Sequence, residues 1–519
     1  MKRYNKITGV LAVATLSLFS ACSEDAMDRI NKDHDHTTSV AARFILADVI
    51  TSTAFSNSSG DLNTYASAYV EYEVGVDNQL YYAEVRENEP TSSSTYNNVW
   101  NGIYSSLKNA RIIINQCSEG GIDHGNDLTK GMAEVMAAYN CALLTDFFGN
   151  APCSQAALVD ENGSPVYLTP KMDTQQEIYA QIMTYLDDAI VNLQKSDLAD
   201  VSEQDFLYGG DAAKWLKFAY GLKARYTMRQ VARSSNLTTD MENVLDYVSK
   251  SFESADDQAA FDIYDANNIN PFYGFYTSRA GLGASQSLCE KLIANDDLRA
   301  ARAFFSPVAN QRRTQVAAND PALMPAPNGT PEQSTSRYGI SAFMYAKTAP
   351  TLLLSYHELM FLKAEALCRL GRDAEDALKE AVVAGLVNAE NSISIAIREL
   401  GSNLTINNSN PITEESAGTY FDDVVKARYT AAPLQETMTQ KYFALWGTSG
   451  EATETYNDIR RMRGLNENFI SLSNPNTSKF PLRYPYGNSD TTANPEVKAA
   501  YGDGSYVYTE SVWWAGGTR

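Results

Sequence analysis

Apolar residues recur at spacings of three and four over long stretches of this chain. That periodicity commits most of it to amphipathic helices that must pack against one another. Between residues 96 and 117 the stripe is Val99, Trp100, Ile103, Tyr104, Leu107, Ala110 and Ile114. Between 129 and 148 it is Met132, Val135, Met136, Tyr139, Leu143 and Phe147, and Gly149-Asn150 ends it. Residues 175–193 carry Ile178, Ile182, Tyr185, Leu186, Ala189 and Leu193, with Asp173 or Thr174 as N-cap. Residues 40–55 put Val40, Phe44, Ala47 and Ile50 on one face.

The segment 212–231 is the most informative. Trp215, Phe218, Ala219 and Leu222 stand at steps of three, one and three. This is the spacing of a tetratricopeptide helix A, in which a small residue admits the partner helix. Residues 359–370, a break at Gly371, and 374–386 read as another such pair. The fold class expected is mainly α: degenerate helical repeats, long irregular loops and minor β content. Residues 267–283, 300–350 with six prolines, and 465–519 read as irregular. No Gly/Ser-rich linker divides the chain, so residues 39–519 are expected to form one domain. Loops this long in a compact domain are usually functional.

The N-terminus sets the compartment. Lys2, Arg3 and Lys6 precede a nearly continuous apolar run from Ile7 to Phe19. The run is too short for a bilayer core that needs ~20 residues, and it fits the leader of an exported protein. Ser20-Ala21-Cys22 ends it like a lipobox. Residues 1–21 are thus expected to be removed, Cys22 to carry lipid, and residues 22–38 to form a polar tether. Ser23-Glu24-Asp25 fits a signal for export to the cell surface.

Composition narrows the partners. The formal charge is −21, and removing the leader cations makes the chain more acidic still. Such a surface repels phosphate backbones, which excludes nucleic acid as a partner. It also argues against acidic polysaccharides, unless the fold gathers a local basic patch. Beyond Cys22, five widely spaced cysteines show no CxxC and no disulfide framework; Cys117, Cys141 and Cys368 read as buried thiols. His357-Glu358 opens a zincin-like pattern, but Phe361 stands where the second histidine is needed. No cofactor motif is found, and no ligand spacing points to a metal, although loop carboxylates and carbonyls would suit a structural calcium. Acidic pairs such as Asp187-Asp188 read as solvated charge.

At this point the motifs, taken in order, resemble a family. Asp146-Phe147-Phe148-Gly149-Asn150-Ala151-Pro152, Asp211 with Lys214-Trp215 and Leu222-Lys223-Ala224-Arg225, and Asn295-Asp296-Asp297-Leu298-Arg299 come first. Ser355-Tyr356-His357-Glu358 with Ala364-Glu365-Ala366, Gln440-Lys441, Asp458-Ile459-Arg460-Arg461, Arg483-Tyr484-Pro485-Tyr486, Asn494-Pro495 and Trp513-Trp514 follow. Together they resemble the SusD/RagB-like outer-membrane lipoproteins of Bacteroidetes. The resemblance implies tetratricopeptide-like units under a loop-rich binding face. It also implies a SusC-like TonB-dependent transporter as partner, a membrane reached through the lipid anchor, an oligosaccharide or a peptide as ligand, and no catalysis.

Sugar recognition needs aromatic faces beside hydrogen-bonding side chains. Two clusters offer both: Asp77, Asn78, Tyr81, Tyr82 and Arg86; and Tyr273, Phe275, Tyr276 and Arg279. The competing reading for each aromatic is that it anchors its loop to the helices. Trp100 and Trp215, on apolar stripes, are expected in the core, and Trp513-Trp514 is expected to be structural. An anchored glycoside hydrolase is the remaining alternative; it would need two carboxylates ~5–10 Å apart in a cleft.

Overall fold

Helix after helix follows the periodicity above. The computed structural model describes residues 40–519 apart from Ser94 and Glu161, so Cys22, the leader and the tether lie outside the described residues. In chain order the helices used below are α1 (Ala42–Thr51), α2 (Asp61–Tyr69), α3 (Asn78–Val85), α4 (Thr95–Cys117), α5 (Asp127–Phe148) and α6 (Gln175–Asn192). Then come α7 (Ala212–Arg229), α8 (Leu237–Ser249), α9 (Pro271–Arg279), α10 (Gln286–Ala294), α11 (Tyr356–Arg369), α12 (Glu375–Leu400), α13 (Pro433–Ala444) and α14 (Ala452–Gly464). Consecutive helices pack on one another: α4 on α5, α5 on α6, α7 on α8, α11 on α12. This is the helical-repeat base that the Trp215 spacing announced, and Ala42–Arg519 packs as one compact unit.

The ends follow local chemistry. Thr174 and Glu177 close a reciprocal capping box on α6. Asp211 accepts the backbone N–H groups of Ala213 and Lys214 at the start of α7. Gly371, at φ +67°, makes the turn between α11 and α12. On α12, Gly385 faces α13 so closely that a Cβ would stand 2.8 Å from the Cβ of Ala444.

Among the described residues the strands are short and form three sheets. β1 (Glu73–Gly75) pairs antiparallel with β3 (Leu282–Ala284), and β2 (Ala259–Phe261) with β7 (Thr351–Leu354). β6 (Ile340–Ser341), β4 (Phe304–Phe305), β5 (Arg313–Val316) and β8 (Leu404–Thr405) form the third, in that order.

Three expectations are corrected. The buried face of α1 is Ala42, Leu46, Val49 and Ile50, while Val40 and Phe44 are exposed. The two stripes overlap at Ile50, and only contact with α4 and α5 selects between them. Cys368 is half-buried rather than buried. The segment 267–283 is not irregular, for it contains α9. Trp100, Trp215 and Trp514 are fully buried, and each indole N–H finds a carboxylate: Asp490, Asp205 and Asp146 at 2.6, 2.7 and 2.9 Å.

The centre of the base is ionic. Arg225 on α7 grips Glu358 on α11 with two bonds of 2.8 and 2.5 Å. Arg229 bonds Glu454 on α14 and lies 3.4 Å from Asp146 on α5. Arg461 on α14 bonds Glu365 on α11 at 2.5 and 2.7 Å and Asp458 at 3.0 Å, and Asp458 also meets Lys441 on α13 at 2.7 Å. Burial alone would raise the Glu454 pKa; Arg229 and Arg225 outweigh it and hold that carboxyl at about 2. The same contest, won by Arg461 and Arg369, puts Glu365 well below its ordinary range. Removing one partner strands a buried charge, so Glu365→Gln should lower unfolding stability by about 3–5 kcal/mol, read from the denaturant midpoint.

Candidate functional site

The two segments singled out in the sequence are joined at one short ladder. In the β1–β3 ladder Gly75 lies opposite Leu282, and the Val76 N–H donates to Gly281 O at 2.9 Å. The chain leaves β1 directly into α3 and enters β3 directly from α9. One short ladder therefore brings Asp77–Arg86 beside Tyr273–Arg279, although the segments are far apart in sequence.

Local chemistry shapes both helices. The start of α3 folds back over Gly75, where a Cβ would stand 2.0 Å from the Leu80 carbonyl oxygen, so only glycine fits. Asn78 and Arg86 have φ of +46° and +52°, an uncommon conformation for residues with a Cβ. Asn270 caps α9: its side chain accepts the Phe272 N–H at 2.9 Å, donates to Ala349 O at 2.9 Å, and Pro271 takes the first helical position. Asn270-Pro271 is the one local signal that could have marked α9 in a stretch whose Asn, Gly and aromatic content otherwise reads as loop.

The side chains divide. Tyr82 is 60% exposed, and its ring meets half-buried Tyr81 edge-on with centroids 5.7 Å apart. Asn78 and Arg279 are exposed, and Asp77, Tyr273 and Phe275 are half-buried. Asp77 accepts from Asn78 at 2.6 Å and from Gln333 at 3.1 Å. Tyr273 donates to Glu399 at 3.0 Å, under Lys347, whose Nζ lies 5.8 Å from the ring. Two residues depart from the expectation. Tyr276 is buried, its hydroxyl accepts from Arg313 Nη2 at 2.9 Å, and it anchors α9 to the base. Arg86 is buried between Tyr69 and Phe480 rather than beside Tyr81 and Tyr82. In both, a helical turn carries the side chain to the inner face, which a list of polar and aromatic residues does not reveal.

Other residues reach this surface from afar. Gln333, Glu399 and Lys347 do so, as does Asp61 at the start of α2, whose carboxyl is raised by burial and drawn back by Arg279. No local pattern marks them.

A cavity of about 680 Å³ opens elsewhere, beside α11 and α12, lined among others by Tyr356, Asp376, Lys379, Glu380 and Glu414. Its polar groups are largely engaged with one another or with neighbours: Tyr356 donates to Glu380, and Lys379 bonds Asp422 at 2.8 Å. The aromatic surface at α3 and α9 is therefore the stronger candidate. Among the described residues no cluster of three or more His, Cys, Asp or Glu is placed to hold a metal, and no helix is long and apolar enough to cross a membrane.

With the geometry in place, the chain can be set beside known proteins. Residues 34–486 match the model of a family described as SusD-like, starch-binding and associated with the outer membrane. A SusD/RagB family protein from Bacteroides thetaiotaomicron is 79% identical, with TM-score 0.90, over 93% of this chain and 100% of that one. A SusD homologue from Bacteroides fragilis, at 20% identity and TM-score 0.68, covers 92% of this chain and all of its own. A chitin-binding SusD homologue from Flavobacterium johnsoniae, at 19% and 0.65, covers 91% and 98%; both of these show the fold alone. A search of curated proteins finds no match.

Beneath the site, Glu73 on β1 is fully buried. Its Oε1 accepts from Ser341 at 2.6 Å and from Trp446 at 3.3 Å, and its Oε2 has no partner among the described residues. Burial lifts its pKa to about 8, and the two hydrogen bonds only partly oppose that. The folded chain thus holds a proton that the unfolded chain releases near pH 4.5, so this group costs stability as pH rises from about 4.5 to 8. Glu73→Gln, which cannot ionise, should flatten that fall in urea titrations across the same range.

Proposed function

The chain belongs to the SusD-like family of starch-binding, outer-membrane-associated proteins, and from its site we propose that it is a non-catalytic surface receptor that captures an oligosaccharide for a SusC-like TonB-dependent transporter. The observation that carries this reading is the convergence of α3 and α9. It sets the α3 segment, with Asp77, Asn78 and the exposed Tyr82 ring, and the α9 segment, with Arg279, on the two strands of one ladder. A pyranose presents an apolar C–H face and a rim of hydroxyls, which match an aromatic ring flanked by amide, carboxylate and guanidinium groups. Phe275 and Tyr273, half-buried, would form the floor. Nothing in this surface resembles a nucleophile activated by a base, so capture rather than turnover is the chemistry that it offers.

The anchor completes the reading. A leader to Ala21, lipid on Cys22 and a polar tether to residue 38 would hold the receptor at the outer membrane and leave it free to close over the transporter. Acyl chains on Cys22 supply the affinity; two or more are needed for stable anchoring.

Two experiments test this. Calorimetry of the mature chain with neutral oligosaccharides, starch and chitin fragments among them, should find a saturable glycan, and Tyr82→Ala should weaken it about tenfold, ~1.4 kcal/mol, without loss of fold. Saturable binding of peptides with no glycan signal, or release of sugar products, would overturn it. Separately, Cys22→Ser should abolish palmitate labelling and free the protein from outer-membrane fractions.

A further inference from the structure

Several buried arginines meet carboxylates: Arg225 with Glu358, Arg299 with Asp297, Arg302 with Glu390, Arg461 with Glu365. Others, Arg111, Arg313, Arg460 and Arg483, donate to carbonyl, hydroxyl or amide oxygens. Arg86 does neither. Only 2% exposed, its side chain makes no hydrogen bond or ion pair among the described residues, and Nε and Nη2 are buried without an acceptor. Its contacts are the ring faces of Tyr69 and Phe480, at 5.9 and 5.6 Å. A buried donor with nothing to donate to is costly, more so when charged, and such a group calls for an explanation.

A cavity of about 250 Å³ lies at Arg86. Its wall also includes Arg463, Asn468, Ser471, Thr477 and Phe480, and no carboxylate lines it. Arg463 is exposed, and its guanidinium lies 3.9 Å from the centre of the Phe480 ring, on which Arg86 also bears. Arg463 too has no hydrogen-bonding or ionic partner among the described residues. Two guanidinium groups thus share one aromatic ring and one cavity in a chain of charge −21. Nearby carboxylates give Arg86 no hydrogen bond. Glu84 is close enough for Arg86 to oppose the rise that burial imposes on its carboxyl, but its oxygens accept from the Gly329 N–H at 2.6 Å and from the Gly75 N–H at 3.4 Å. Glu467, in the adjoining cavity that shares Arg463, takes both its bonds from Arg369, at 2.9 Å each.

We propose that this cavity binds a single oxyanion group, a carboxylate or a sulfate, of the kind an acidic sugar carries. A guanidinium pair matches either group with charge-assisted hydrogen bonds, and Asn468, Ser471 and Thr477 supply neutral ones around it. Turning toward the anion would give Arg86 the acceptors it lacks. The net charge argues against acidic glycans unless a local basic patch exists; Arg86 and Arg463 form one. That an acidic sugar is part of the natural ligand rests on the receptor reading above. The affinity of the cavity for an oxyanion does not.

The test is calorimetry of the mature chain at low ionic strength with sodium sulfate, glucuronate and, as the uncharged comparator, glucose. Saturable binding of sulfate, glucuronate or both is expected, weakened by added chloride. Arg463→Gln, at an exposed position, should weaken it roughly tenfold or more, and Arg86→Met should abolish it. Sulfate alone would identify a sulfated sugar, glucuronate alone a uronate, and either supports the site. No saturable binding of either anion, or binding unchanged by Arg463→Gln, overturns it. Because Arg86→Met alters a buried position, Arg463→Gln decides. Neutral glycan binding without anion binding removes this site and leaves the receptor reading; anion binding without any glycan binding does the reverse.

Discussion

The helical base depends on a buried ionic network that ties five helices together. Asp146 on α5, Arg225 and Arg229 on α7, Glu358 and Glu365 on α11, Lys441 on α13, and Glu454, Asp458 and Arg461 on α14 satisfy one another away from water. Such a network adds little net stability over apolar packing, because desolvation offsets attraction. Its effect is on specificity. A helix shifted by one turn would leave a guanidinium or carboxylate buried and alone, so the register of each helix against its neighbours is strongly selected. Degenerate repeats, whose apolar faces alone could slide, gain a unique arrangement.

The network explains why the motif residues cluster where they do. The aspartate of Asp146-Phe147-Phe148, Arg225 at the end of its motif, Glu358, Glu365, Lys441, Asp458 and Arg461 are scattered along the sequence yet converge in the base. Trp514 near the C-terminus closes the set, donating to Asp146 while Arg460 lies 4.8 Å from its ring. What reads in the sequence as a family signature is, in the fold, mostly scaffold. The candidate surface lies outside this network, on β1, β3, α3 and α9.

That separation matters for function. β1 and β3 are only three residues each, and isolated they would not persist. They hold because Glu73 is fastened to Ser341 and Trp446, while Glu71, just before β1, accepts the backbone N–H groups of Ser473 and Asn474 at 2.8 and 2.7 Å. Rigid support of this kind would lower the ordering cost of any binding at this surface. The same attachment brings the segment around Asn474 against α3 and creates the cavity in which Arg86 and Arg463 meet.

Much of this was legible in the linear chain. Period-3.6 stripes located α4, α5, α6 and α7 to within two residues, since an amphipathic helix writes its burial into local spacing. Capping chemistry placed their ends, and Trp100 and Trp215 declared themselves core by the stripes they occupy. The two segments of the candidate site were also visible, as unusual runs of aromatic and amide residues. Their pairing was not, because a three-residue ladder between distant segments leaves no periodic trace. Nor was the direction of each side chain: Tyr276 and Arg86 turned inward while Tyr82 turned outward, a choice made by which face of α9 or α3 the base covers. Nor was the solitude of Arg86, for a guanidinium is unpaired only relative to the carboxylates that the fold places elsewhere. Local interactions are encoded at short spacing and can be read there; burial and partnership are properties of the whole packed chain, and only the tertiary structure decides them.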